Sequence, residues 1–300
     1  MERQEMEAFL ALAEELHFGH TARRLGLSVG RVSQLIRTLE RRVGALLFER
    51  TSRRVVLTPI GARLREDLLP AHRQITAALE HAVAAGRGIS GRLRVGFSSQ
   101  MVARLLMRAI EAFKAVHPAC EVTIQEVLLS DPYGPVRRAE VHLQVTELPL
   151  NEPDLVAGPT LLSYPRSLLV PVDHALARAE SVSLEDLAGA TLLTVGGSAP
   201  QHWCDHHFPR HTPSGRPIHH GHAAVSWHEI PVLVADGQGV TLASAGAEHL
   251  HAAPGVAWIP VRDATPVLYA PIWPKQGATA RVRAFVEALR TAAGQGSGAS

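Results

Sequence analysis

Apolar residues recur at Met6, Phe9, Leu10, Ala13 and Leu16, the i, i+3, i+4, i+7 spacing of an amphipathic helix. A second short helix is predicted over "TARRLG", with Thr21 as N-cap and Gly26 at the position that ends it. Ser28 then caps a third helix, in which Val32, Leu35, Ile36, Leu39 and Val43 form one apolar stripe. At about 100° per residue, the side facing away from that stripe carries Gly30, Gln34, Arg37 and Arg41, flanked by Arg31 and Ser33. Two short helices joined by a tight turn, the second presenting a face of hydrogen-bond donors, form the helix-turn-helix arrangement whose second helix enters a DNA major groove.

The first turn of that third helix is costly by itself. An arginine there opposes the helix dipole by roughly 0.3–1 kcal/mol, and a glycine costs up to about 1 kcal/mol against alanine. A DNA backbone offsets both: Gly30 permits close approach, the helix N–H groups bind phosphate, and Arg31 reaches a phosphate or a guanine edge.

Past this helix, "ALLFERTSRRVVLTPIG" predicts a short strand, a basic turn at Ser52–Arg54 and a second strand Val55–Leu57. This is a β-wing, with Arg53 and Arg54 at its tip placed for phosphates or the minor groove. Thr58 caps a new helix that has Pro59 at its first position. Leu64, Leu68, Ala71, Ile75, Ala78 and Ala82 follow a heptad spacing to about Ala85, which predicts a partner helix, most simply that of a second copy. Pro70 interrupts the run, and Gly86, Gly88 and Gly91 mark a hinge.

From Gly91 the pattern alternates between strands and helices. "RLRVGFSS", "VARLLMRAIEAFKAVHP" and "EVTIQEVLL" read as a βαβ unit with a parallel sheet, which "VHLQVTE" continues. A second α/β half opens at "RSLLVPVDHALARAESVSLEDLAGATLLTV", where Ser183 caps a short helix with Asp186 three residues on. "EIPVLVADGQGVTLASA" gives a helix, a glycine turn and a buried strand, "GVAWIPV" and "PVLYAPIWP" late strands, and "RVRAFVEALRTAA" a terminal helix. Ligands in open α/β sheets sit at the carboxyl ends of strands, which nominates Ser98, Ser99 and Gln100, then Leu129 and Ser130.

Charge sharpens the picture of the N-terminal part. Between Arg23 and Arg65 there are 11 arginines against Glu40 and Glu49 alone, an electrostatic footprint suited to a polyanion, although the whole chain is only +2. At 46 % hydrophobic residues, 300 residues suffice for more than one core. No apolar run reaches membrane-spanning length and the chain opens on charged residues, so a cytoplasmic location is expected. Cys120 and Cys204 form no CxxC pair.

"FLALAEELHFGHTARRLGLS", "VSQLIRTLERRVGALLFER" and "RRVVLTPIG" together resemble the DNA-binding end of the LysR-type transcriptional regulators. Ser33, Arg37, Arg53 and Thr58 match that family's pattern, whereas Val29 and Gly30 replace the Gln-Pro that usually follows the capping serine, and Gln34 stands where a basic residue is commoner. "PVDHALARAESVSLEDLAG" and "VADGQGVTLAS" are similar to the family's effector-binding part, itself related to periplasmic solute-binding proteins. The resemblance implies an α/β chain with an all-α/winged-helix N-terminal domain: a winged helix-turn-helix over 1–58, a long linker helix and hinge over 59–90, and a two-lobe effector domain over 91–293 with a disordered tail at 294–300. Across the cleft, Ser98, Ser99, Gln100 and Ser130 are expected to face Thr194, Gly196 and Gly197.

Function follows as an expectation. The chain is read as a homo-oligomeric regulator that binds double-stranded DNA at an interrupted palindromic operator and responds to a small-molecule effector. The sequence has no nucleophile elbow, P-loop, dinucleotide fingerprint or HExxH, so turnover is not expected, and no cofactor or metal is called for. The alternative is a metal- or pH-responsive regulator built on the histidines from His202 to His228, with His202, Cys204, His206 and His207 as candidate ligands. Exposed loop histidines are the simpler expectation. A nonspecific DNA-compacting protein is a third reading, one that leaves the two-lobe domain without a purpose.

Overall fold

A computed structural model of the chain describes residues 2–50, 55–250 and 253–296. Residues 51–54, and with them Arg53 and Arg54, lie outside the described residues. The chain divides into two compact units, with the boundary between residues 80 and 81.

The first unit contains α1 (Arg3–Glu15), α2 (Phe18–Leu25), α3 (Val29–Val43), the antiparallel pair β1 (Phe48–Arg50) and β2 (Val55–Leu57), and the start of α4 (Pro59–Arg87). Its core joins Phe9, Leu12, Val32, Leu35, Ile36, Leu39, Leu47 and Phe48, and the Phe9 and Phe48 rings meet at 5.6 Å. α2 begins three residues before its predicted cap. The true N-cap is His17, whose Nδ1 accepts the Gly19 and His20 N–H groups, while Thr21 is buried inside the helix and donates its hydroxyl to the His17 carbonyl. An imidazole lone pair here does what a serine oxygen usually does. Gly26 ends α2 in the left-handed conformation, as expected.

The apolar stripe of α3 stops at Leu39. Val43 is exposed, and the last inward position belongs to Glu40, whose Oε1 accepts the Leu47 and Phe48 N–H groups at 3.0 and 3.3 Å. α4 starts where predicted, with the Thr58 hydroxyl accepting the Gly61 N–H and donating to the Leu46 carbonyl. Gly61 itself faces the Leu47 carbonyl so closely that a Cβ would collide with it, so only glycine lets α4 seat on the wing. Of the predicted α4 seam, Leu64 and Leu68 pack on the first unit's own core and Ile75 is exposed; Leu79 and Val83, which lie off that seam, are exposed with Ile75 at four-residue spacing.

The second unit carries two lobes. In the first lobe β3 (Gly91–Phe97) lies parallel to β4 (Cys120–Glu126) and to β5 (Leu143–Glu147), with α5 (Gln100–Val116) and the short α6 (Gly134–Arg137) between them. Next come β6 (Leu155–Ala157), β7 (Leu162–Tyr164) and, crossing into the second lobe, β8 (Arg166–Pro171). The second lobe adds β9 (Thr191–Val195), α7 (Gln201–His207), β10 (His219–Ala224), α8 (Glu229–Ala235), β11 (Thr241–Ser244) and β12 (Val256–Pro260). β8 is the middle strand between β11 and β12, and β9 pairs in parallel with β10. The chain then returns: β13 (Val267–Pro274) joins the first lobe's sheet antiparallel to β5, and α9 (Ala280–Gly296) packs Phe285 against Phe113 of α5. Residues 294–296, expected to belong to a disordered tail, continue α9.

Candidate functional site

On α3 the Ser28 hydroxyl accepts the Arg31 N–H at 3.2 Å, closing the first turn. Burial of Val32, Leu35, Ile36 and Leu39 sets the rotation of the helix, so that Gly30, Gln34, Arg37 and Arg41 point away from the core, with Ser33 half-buried at the edge. These five residues line one open groove of about 880 Å³ together with Glu40, Gly44, Ala45 and Leu46. Arg31, on the flank, donates to Gln34 Oε1 and to Gln4 Oε1 of α1 at 3.1 Å each, so its guanidinium is held beside the groove. An added Cβ at Gly30 would meet nothing closer than Ser28 Oγ at 4.0 Å. The fold therefore does not require glycine at this position, and the first turn contains no acidic residue to answer the arginine.

The candidate cleft residues divide into two groups. Ser130 meets the second lobe directly: its N–H donates to the Val225 carbonyl at 3.2 Å and its carbonyl accepts the Ser198 N–H at 2.7 Å. Gly197 has φ of 91° and lies so close to the Ser130 carbonyl that no side chain fits between them. Thr194 lies on β9 opposite Ala223, and the Gly196 N–H donates to the Ala224 carbonyl at 3.0 Å. Ser98, Ser99 and Gln100 sit elsewhere, at the carboxyl end of β3. Ser99 is the N-cap of α5, accepting the Val102 N–H at 3.4 Å, and Gln100 is exposed on its first turn. Leu129, three residues past the end of β4, is buried in the larger apolar cluster.

Sequence reasoning missed a buried polar chamber where the chain crosses between lobes. Glu147 ends β5 and Arg166 begins β8, each less than 5 % exposed, and the chamber's walls include Trp203, His207, Trp227, Ser244 and Tyr269. Arg166 Nε donates to the Thr265 carbonyl at 3.0 Å, and Nη2 lies 3.3 Å from His207 Nδ1. His207 Nε2 is 3.1 Å from the Leu148 carbonyl, so that nitrogen carries the proton and Nδ1 accepts from Arg166. Burial and the neighbouring guanidinium hold His207 well below the usual imidazole range. Burial also draws Arg166 down to about 10 and pushes the Glu147 carboxyl up.

The decisive observation is a pair of matches that tile the chain. Residues 4–62 fit the family described as "Bacterial regulatory helix-turn-helix protein, lysR family", and residues 86–294 fit "LysR substrate binding domain". The chain belongs to the LysR family. Among curated LysR-type relatives, the transcriptional regulator AlsR of Bacillus subtilis is 32 % identical over 199 residues, 66 % of each chain. ShiR of Corynebacterium glutamicum is 34 % identical over 201 residues, 65 % of this chain and 66 % of ShiR. Both matches span just under two thirds of the relative's length. A full-length OxyR variant of Pseudomonas aeruginosa superposes with a TM-score of 0.71 at 25 % identity, over 98 % of this chain and 94 % of OxyR. CbnR, solved with its target DNA, shares the fold at a TM-score of 0.60 and 19 % identity, over 97 % and 100 % of the two chains.

The histidines from His202 to His228 of this LysR chain match the expected exposed loop only in part: His211, His219, His222 and His228 are exposed, whereas His202, His206 and His207 lie on α7. Residues 201–207 are helical, which places His202 and His206 one turn apart, but the two are committed differently. His202 Nε2 accepts the Asn151 N–H at 3.2 Å and its Nδ1 lies 3.7 Å from Glu152, whereas the His206 ring meets His207 edge-on at 5.0 Å, and His207 is itself buried against Arg166. Cys204 lies 3.7 Å from the Ala199 carbonyl, with its thiol pushed up by burial. Among the described residues no three His, Cys, Asp or Glu side chains converge as metal ligands. Among the same residues, no helix is long and apolar enough to cross a membrane.

Proposed function

We propose that this protein is a sequence-specific DNA-binding transcriptional regulator of the LysR type, cytoplasmic and without turnover, whose grip on DNA is set by a small molecule held between the two α/β lobes. The observation that carries the reading is the outward face of α3: Gly30, Ser33, Gln34, Arg37 and Arg41 line one groove, with Arg31 braced at its rim. A helix presenting donors and a bare backbone position at its N-terminal end suits the major groove, where base edges and phosphates supply acceptors. Arg53 and Arg54, which lie outside the described residues, are proposed to add phosphate or minor-groove contacts.

Two copies act together through α4. Ile75, Leu79 and Val83, each about half exposed, form an apolar line along that helix, and a second copy of α4 is the simplest cover for it. Paired heads predict an interrupted palindrome with half-sites about one helical turn, or a multiple, apart. Effector binding changes lobe geometry, and the hinge after α4 passes that change to the heads.

Selection of bound fragments from sheared genomic DNA tests the reading. Recovery of a few discrete sites with two-fold symmetry supports it. Uniform recovery of all fragments contradicts it and points to a packaging protein.

A further inference from the structure

The first lobe has a hollow of its own, lined by none of the cleft residues considered above. Its floor is apolar: Met101 and Leu105 of α5 and Leu161, just ahead of β7, are all buried. The hollow measures about 610 Å³, inside the range of roughly 300–1,000 Å³ that small-molecule sites occupy. Its walls are fixed by packing. Ala247 and Leu250 belong to the first lobe's apolar cluster, and the Tyr164 ring meets that of Tyr269 edge-on at 6.4 Å. The turn Ala245–Ala247 sits so close that a Cβ on Gly246 would collide with Met101 Sδ and the Tyr164 ring, so glycine lets this turn form one wall.

The rim is cationic. Arg104 and Arg108 stand one turn apart on the exposed side of α5, His249 lines the same rim, and Thr160 and Ser163 add hydroxyls. Among the described residues no acid lines the hollow. On three other helices an exposed arginine is answered by an acid one turn away: Arg3 by Glu7, Arg63 by Asp67 and Arg290 by Glu287. On α5 the residue one turn on from Arg104 is a second arginine, and neither makes an ion pair or a hydrogen bond among the described residues. Like charges at this spacing repel each other instead of supporting the helix. The same pairing recurs as Arg37 and Arg41 on α3, the face proposed above to meet a polyanion.

We propose that this hollow binds a small organic dianion, a phosphate monoester or a dicarboxylate, with its charged end between Arg104 and Arg108 and its apolar body on Met101, Leu105 and Leu161. Each guanidinium presents its N–H groups as a fork that fits phosphate or carboxylate oxygens, and two such cations match two negative charges. The Thr160 and Ser163 hydroxyls donate to oxygens that the arginines leave open. The apolar floor sets such a ligand apart from a bare inorganic ion, which has no apolar surface to bury there. It also sets it apart from a nucleic acid, since a duplex would rest on the rim and leave the floor uncovered. The site shares no residue with the α3 face or with the cleft, so it stands independently of the regulator reading.

Isothermal titration calorimetry of the full-length protein tests the proposal at about pH 8, where a phosphate monoester is doubly ionised. The probes are phenyl phosphate and phthalate as dianions of the two kinds, benzoate as the matched monoanion and inorganic phosphate as the bare ion, all at one ionic strength. Phenyl phosphate or phthalate is expected to bind with a Kd of about 1 mM or tighter, and at least about tenfold more tightly than benzoate or inorganic phosphate. The tighter of the two identifies the phosphoryl or the dicarboxylate form. Arg104→Gln/Arg108→Gln should weaken it about a hundredfold, about tenfold for each arginine, with melting of the free protein unchanged because both side chains are exposed. Arg37→Ala/Arg41→Ala should bind it as the native protein does, which separates this site from anion binding on α3. Failure of both dianions to bind, equal binding of benzoate or inorganic phosphate, or undiminished binding by the Arg104/Arg108 variant would each overturn the proposal. So would loss of DNA retardation by that variant with dianion binding intact, which makes the two arginines a nucleic-acid contact. Retardation of DNA by the native protein is read separately, so failure of the dianion site leaves the regulator reading standing.

Discussion

The Glu40 carboxylate and the Leu47 N–H are 3.0 Å apart, and this contact ties the end of α3 to the start of the wing. The same oxygen accepts the Phe48 N–H, so one buried acid answers two amides at the start of β1. Charge-assisted hydrogen bonds of this kind contribute roughly 1.5–3 kcal/mol each. Glu40→Ala is therefore expected to destabilise the first unit by about 2–4 kcal/mol in urea titrations, and Glu40→Gln, which keeps an acceptor oxygen, by clearly less. Equal stability of Glu40→Ala and the native protein would show that water replaces the carboxylate without loss.

Gly30 gives a test in which stability and binding move apart. Its added Cβ meets only Ser28 Oγ at 4.0 Å, so Gly30→Ala should hold or raise the melting temperature, by up to about 1 kcal/mol of helix propensity. DNA affinity should fall, since the methyl group stands where the duplex approaches. A variant with unchanged affinity places the duplex elsewhere.

Arg37 is exposed on the groove, so on the proposed reading its contribution is to DNA binding. Arg37→Ala should leave urea stability within about 0.5 kcal/mol. If the side chain binds phosphate, the slope of log K against log salt flattens by about 0.9, and if it reads a base, the slope stays and specificity relaxes at one position. Arg53→Ala is expected to follow the phosphate pattern.

His142 makes the second unit sensitive to acid. Burial, with the charges of Arg94 and Arg281, holds it at about 4, and its Nδ1 accepts the Arg94 N–H at 2.9 Å. In the unfolded chain a histidine takes up its proton near pH 6.5, so the folded state binds fewer protons between there and pH 4 and loses stability as pH falls through that window. The loss amounts to about 3 kcal/mol at its lower end. Glu147 works in the opposite direction where its raised carboxyl holds a proton that the unfolded chain would release, so the informative quantity is a difference. His142→Gln should flatten the fall in stability between pH 6.5 and 4 relative to the native protein, as read by urea titration at several pH values. Parallel curves would mean that His142 protonates freely in the folded state.

The parts legible in the sequence were those governed by local spacing. Ser28, the stripe from Val32 to Leu39, Thr58–Pro59 and the strand–helix alternation after Gly91 are all short-range patterns, and each element formed where its pattern lay. Capping by His17 escaped because imidazole caps lack a characteristic sequence signature. Glu40 escaped because an acid among arginines looks like surface charge, whereas in the fold it turns inward and accepts the backbone amides of Leu47 and Phe48. The chamber was invisible for a different reason. Glu147, Arg166, His207 and Tyr269 come from strands and a helix far apart in the chain, and the antiparallel return of β13 that brings Tyr269 beside Glu147 follows from long-range pairing. Arg166 stood at the head of an apolar strand, where periodicity gives no hint that a charge turns inward.

The central claim is that the outward face of α3 lies against duplex DNA, and it is tested most directly by titrating a fluorescently labelled, genome-selected fragment with native protein and with the double variant Gln34→Ala/Arg37→Ala, with anisotropy as the readout and circular dichroism melting as the control. The account predicts a loss of affinity of about a hundredfold with unchanged melting, the sum of two contacts of about 1–3 kcal/mol each. Equal affinity of the two proteins, with both folded, would contradict it.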